Sequence, residues 1–160
     1  MLLIYTHKVT HRNKYIFNLI FKDILSIDFK MTSDVEEFKK HDDAKLSYTN
    51  NAIADEVFFI SRNLLFENGI TEQNISVFDF NTGKVFFATG KASALPFDVF
   101  AASFYLVSRY EEYLPHIRDE HDRFDAKDSL AFINGFLQKP VINNWVKWVR
   151  DILLKKYPYI

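Results

Sequence analysis

The 160-residue chain contains no cysteine. Disulfides, thiolate nucleophiles, iron–sulfur clusters and thiolate zinc sites are therefore excluded. Glycine and proline are scarce, at four each. There is no G-x-G-x-x-G, no P-loop and no G-x-S-x-G elbow, so no phosphate-cradling loop or strained serine nucleophile is expected. No charge sign dominates: 20 Lys and Arg stand against 21 Asp and Glu, for a formal net charge of −1. Such a chain has little to offer the phosphates of a duplex, and nucleic acid is a poor candidate partner. No run approaches the roughly 18 uncharged apolar residues of a membrane-spanning helix, so no membrane insertion is expected. Met1 to Lys8 lacks the basic start and long apolar stretch of a signal peptide, which makes the cytoplasm the default location.

What the chain does have is phenylalanine, 17 residues of it, within 48% hydrophobic and 26% charged composition. Phe has no polar handle, so most of these rings belong in a core or a contact surface. The length suits a single α/β domain over 1–160. Leu2 to Tyr5 reads as a buried strand. Thr10 is placed to cap a helix through about Leu25, and Ser26 to Met31 alternates as a second strand. Strand, helix, strand is a βαβ opening and favours a parallel pair. Asp34 or Ser33 caps a short helix to Lys39. Lys45–Thr49 and Val57–Ser61 read as short strands around Asn50-Asn51. Ile75–Phe80 and Lys84–Ala88 flank Asn81-Thr82-Gly83, the clearest hairpin signal. Asp98 opens a helix that Pro115 closes, and Pro140 opens the last one, Val141–Lys156, with Val141, Trp145, Trp148 and Ile152 as its apolar stripe. The expected fold is thus a small mixed sheet, opened by the βαβ unit and extended by antiparallel strands. Its main helices are at about 10–25, 98–113 and 141–156.

The candidate chemistry is sparse. His7 and His11 have H-x-x-x-H spacing but straddle a helix cap, and no carboxylate stands near as a third ligand; two solvated histidines are the favoured reading. Asp42-Asp43 follows a charged segment rather than a buried strand, which favours a solvated loop. His116, Asp119, Glu120, His121, Asp122 and Asp125 are the densest set of metal-ligand types, and a metal-dependent hydrolase or nuclease using them is one alternative. Arg118 and Arg123 are interleaved, so an ion-paired loop is favoured. Arg109, Glu112 and Tyr113 lie three or four residues apart at the end of an apolar helix. Either they lock that helix to the following loop, or, with Arg118 and Arg123, they form a binding site for a sugar or small anion. Trp145 and Trp148 share one stripe, as core or as a docking face.

The run Ala94-Leu95-Pro96-Phe97-Asp98 to Ser108-Arg109-Tyr110-Glu111-Glu112-Tyr113, then His121-Asp122-Arg123-Phe124, Ser129-Leu130-Ala131 and Asn134-Gly135-Phe136-Leu137-Gln138-Lys139-Pro140, resembles the N-terminal region of Bacteroidetes-type polysaccharide deacetylase family proteins. In those proteins a domain without assigned function precedes a deacetylase-like catalytic domain. The family's metal site is a strand-borne Asp-Asp pair with a later H-[S/T]-x-x-H. Here Asp42-Asp43 follows His7 and His11 instead of preceding them, and Lys8 replaces the Ser or Thr, so that chemistry does not carry over. The resemblance implies a non-catalytic accessory domain with no cofactor of its own. Any divalent metal would then sit in a downstream catalytic domain of the same polypeptide, a carbohydrate deacetylase, which would be this domain's partner. Trp145 and Trp148 would supply the contact face, and homodimerisation is compatible with it. The chain stops at Tyr157-Pro158-Tyr159-Ile160, directly after a helix, as at a domain boundary.

Overall fold

Leu2–Thr6 carries apolar residues on both faces and forms β1, an inner strand with all five residues buried. The computed structural model describes residues 1–67, 75–80, 83–108 and 141–160. Thr10 then caps α1 (His11–Phe17): its hydroxyl accepts from Asn13 N, and the Asn13 side chain accepts from Thr10 N, closing a capping box. The helix widens to π-helical turns over Asn18–Ile24. Ser26, in the left-handed region at φ 57°, ends it, and Ile27 N closes back on Phe21 O at 2.7 Å. These terminal turns take up the start of the expected second strand, so β2 runs over Phe29–Thr32. Asp34 caps α2 (Val35–Lys40) by accepting from Glu36 N and Glu37 N. β3 (Lys45–Thr49) and β4 (Val57–Ile60) follow.

These four strands make a parallel sheet in the order β2-β1-β3-β4. The βαβ opening is as expected, with β1 and β2 parallel. β3 and β4 are also parallel, where the sequence pattern suggested antiparallel extension. Val57 sits beside Leu46 in the register, so the link from Thr49 needs to return only about 10 Å along the sheet. Residues 50–56 reach that far without a helix. The Glu56 carboxylate shapes this crossover by accepting from Ile53 N (2.9 Å) and Ala54 N (2.7 Å). Among the described strands, antiparallel pairing is found in a separate hairpin, β5 (Phe78–Phe80) with β6 (Gly83–Val85), and an isolated antiparallel bridge joins Ala88 to Phe97.

A 3-10 turn at Asn63–Phe66, α3 (Val99–Val107) and α4 (Val141–Lys156) complete the described elements. The main core lies on the α1 face of the sheet and is aromatic. Phe100 is its hub: the rings of Phe17, Phe59 and Tyr48 lie 4.9, 5.1 and 5.3 Å from it. Offset and edge-on contacts of this kind add about 0.5–1.5 kcal/mol each beyond area burial, which gives the phenylalanine surplus a structural use. The other face carries a small cluster, Leu3, Tyr5 and Phe38, under α2 and the crossover residue Ile53. The buried stripe of α4 is Trp145, Val146, Val149 and Leu153, slightly rotated from the expected one; Val141, Trp148 and Ile152 pack at its margin. No helix among the described residues is long and apolar enough to cross a membrane.

Candidate functional site

In a parallel sheet the strands' C-terminal ends gather side chains, and the crevice opens where the connections diverge. Here the chain runs from β1 outward to β2 and then returns to β3 on the other side, so the divergence lies between β1 and β3. His7 leaves β1 at this point and is exposed. Its ring stacks on Phe66 with centroids 4.1 Å apart, and its Nδ1 lies 3.5 Å from the hydroxyl of Thr49 at the end of β3. His11, the first residue of α1, is exposed as well. The pair brings no third ligand: among the described residues no group of three His, Asp or Glu is placed to hold a metal.

The surrounding polar groups hold the edge together. The Thr6 hydroxyl donates to Lys8 O (3.0 Å), Asn13 Nδ2 to Lys8 O (2.9 Å) and the Thr10 hydroxyl to Leu65 O (2.6 Å). Arg12 donates to Leu64 O at 2.8 Å, with its guanidinium 5.6 Å from the Phe104 ring centroid. One carboxylate lies deeper. Asp98, the N-cap of α3, is 1% exposed. Its Oδ2 accepts from the Tyr48 hydroxyl (2.5 Å) and from Arg62 N (2.7 Å), and its Oδ1 accepts from Ala101 N (2.9 Å). Burial pushes the Asp98 carboxyl up to about 6, against the downward pull of these donors. Burial and the carboxylate together push the Tyr48 phenol well above its ordinary range, so it remains a donor.

Arg62 ties this knot to the next segment. Its guanidinium donates to Ala88 O at 2.9 Å and lies 5.6 Å from the Phe87 ring centroid. Phe87 holds φ 65°, an uncommon backbone state for a bulky residue, and its carbonyl accepts from Asp98 N at 2.8 Å. Chemically, the edge offers an exposed imidazole with a hydroxyl neighbour, while Asp98 and Asp34 serve as helix caps. The signal for Asp98 was its setting, a lone carboxylate inside the apolar run from Leu95 to Val107. Tyr48 carried no comparable signal.

The other candidates fall elsewhere. Asp43 lies at the opposite end of the sheet, where it pairs with the N-terminal ammonium at 2.6 Å and accepts from Ala44 N at 2.8 Å. These contacts hold its carboxyl down to about 2. Trp145 is 1% exposed, its ring 5.4 Å from Phe97 and 5.7 Å from Phe86. A ring so enclosed belongs to the core and cannot form a contact face. Trp148 is half-buried against Phe80 and Phe97. Arg109, Glu112, Tyr113, Arg118 and Arg123 lie outside the described residues, as do His116, Asp119, His121, Asp122 and Asp125. A groove of ≈ 680 Å³ runs beside β4, lined by Val57, Phe58, Ser93, Ile152 and Lys155 among others.

Comparison with known proteins finds no match among curated proteins and none among solved structures. One family model matches, over residues 2–158, and its description is "Family of unknown function (DUF7033)". The match spans the sheet, the Asp98 knot and the four described α-helices, and the chain belongs to this family.

Proposed function

We propose that the chain is a non-catalytic accessory domain that packs on a deacetylase-like catalytic domain, as its resemblance to the N-terminal region of polysaccharide deacetylase family proteins implies. One observation carries the reading. At the edge where an α/β enzyme would present its acids, Asp98 is enclosed and bonded to Tyr48, Arg62 and Ala101. It thus acts as a tie between β3, β4 and α3. A general acid or metal ligand must reach its substrate, and a carboxylate in this position does not. In this reading a divalent metal and the hydrolytic step belong to the partner domain.

The test measures acetate release from acetylated chito-oligosaccharides in the presence of Mn²⁺ or Zn²⁺. The chain alone should release none. Added to a deacetylase-like catalytic domain encoded in the same gene, it should bind and raise that domain's melting temperature through linkage. Metal-dependent acetate release by the chain alone, or failure to bind that domain, would overturn the proposal.

A further inference from the structure

The parallel sheet treats its two edges differently. At β4, Ser61 N donates to Thr49 O at 3.1 Å. That parity turns the backbone groups of Phe58 and Ile60 outward. They are met there: Ala94 N donates to Phe58 O (2.7 Å), and Ile60 N donates to the Ser93 hydroxyl (3.0 Å). Residues 93 and 94 thus plug this edge. At β2, Leu2 N donates to Asp28 O at 3.2 Å, so residues 28, 30 and 32 face β1. Phe29 and Met31 then direct N–H and C=O outward, and no described group meets them. Apolar side chains flank these open groups. Leu25, Ile27, Phe29 and Met31 are half-buried, and Ile24 is 41% exposed. An open edge of this kind is a template for another strand.

We propose that β2 pairs antiparallel with β2 of a second copy of this chain, about a two-fold axis at Lys30, joining two four-stranded sheets into one. The strand is self-complementary in that register. Phe29 lies opposite Met31 of the second copy, and Met31 opposite its Phe29. Each pair exchanges two backbone hydrogen bonds, and the thioether meets the ring. The two Lys30 side chains face each other at the axis, but neither is a bare charge. Each Lys30 Nζ lies 3.7 Å from Glu37 Oε1 of its own copy, so the axis gathers two positive and two negative charges. Each lysine thus reaches the axis with its own counter-charge, which offsets the repulsion that two facing lysines of identical chains would otherwise meet. The contact is isologous and closes at the dimer.

Sedimentation equilibrium on the whole chain tests this, together with amide hydrogen exchange at Phe29 and Met31. A four-residue pairing buries little surface, so a reversible dimer with a dissociation constant in the micromolar to sub-millimolar range is expected. Met31→Pro removes an outward N–H and leaves the β1–β2 ladder intact. It should weaken the dimer at least about tenfold while the chain stays folded, its melting temperature lowered only by the loss of the half-buried Met31 side chain. Glu37→Gln, which unmasks the facing lysines, should weaken it at low salt and much less at high salt. The Phe29 and Met31 amides should gain protection as protein concentration rises. A chain that stays monomeric at about 500 µM, where even the weakest constant in that range leaves roughly a third of it dimeric, would overturn the proposal, as would concentration-independent exchange at both amides or a dimer indifferent to a folded Met31→Pro.

Discussion

Acidification from pH 7 should stabilise this fold through Asp98, the reverse of the usual carboxylate effect. In the unfolded chain the group titrates near 3.8; in the folded chain burial raises it to about 6. Between those values the folded state holds a proton that the unfolded state has released. Stability contributed by this group is therefore greatest below the unfolded value and is lost as pH rises through the folded one. A difference of about two units corresponds to about 3 kcal/mol in full, of which about 2 kcal/mol is realised on going from pH 7 to pH 4.5. Asp43 works in the opposite direction but in a lower window, since its carboxyl is held down to about 2. Comparing the native chain with Asp98→Asn cancels such contributions. The amide retains one acceptor oxygen, so either Ala101 N or the Tyr48–Arg62 pair loses a partner, at a pH-independent cost of about 1–3 kcal/mol. Urea titrations of both proteins between pH 4.5 and 7 give the difference in unfolding free energy. The native chain's advantage should be about 2 kcal/mol larger at pH 4.5 than at pH 7. Parallel curves would refute the reasoning. So would a native advantage that grows with pH, which would mean that the three donors outweigh burial.

Tyr48→Phe removes a donor to the same carboxylate and should destabilise the chain by about 1.5–3 kcal/mol near neutral pH, read as a fall in the urea midpoint at unchanged slope. Glu56→Ala leaves Ile53 N and Ala54 N without their acceptor. It should cost about 1–3 kcal/mol, with faster amide exchange at residues 53 and 54 as its local signature. Trp145→Ala should cost about 3–5 kcal/mol, as for a fully buried large ring, and Trp148→Ala clearly less; equal losses in thermal unfolding would contradict the assignment of one ring to the core and the other to its margin.

Much of the fold was written in local patterns. Thr10 and Asp98 cap the helices they were expected to cap, and Leu2–Thr6 with Phe29–Thr32 makes the expected parallel opening. The parallel β3–β4 pair was not legible. Parallel neighbours usually enclose a helix, and the link over residues 50–56 is as short as a hairpin's. What permits it is register together with Glu56, and neither leaves a periodic signal. At the strand ends, Asp98 was visible as a cap but not as the junction of three elements. The contacts of Tyr48 and Arg62 with it span 50 and 36 residues, and sequence spacing does not encode such distances. The edge of β2, unpaired among the described residues, depends on which strand became the neighbour of which, and is likewise a property of topology.

The short crossover also bears on how the chain finds its fold. Register partners in β3 and β4, such as Leu46 and Val57, are close in sequence, whereas those in β1 and β3, such as Leu3 and Lys45, are far apart. Closing the longer loop costs about 1 kcal/mol more chain entropy. Within the sheet, the β3–β4 ribbon is therefore the pairing that forms at least cost, and β1 docks onto a surface already present. Truncations at Val57 or Phe59 should then slow refolding, while truncation at Leu3 should mainly hasten unfolding, a division that stopped-flow chevrons resolve.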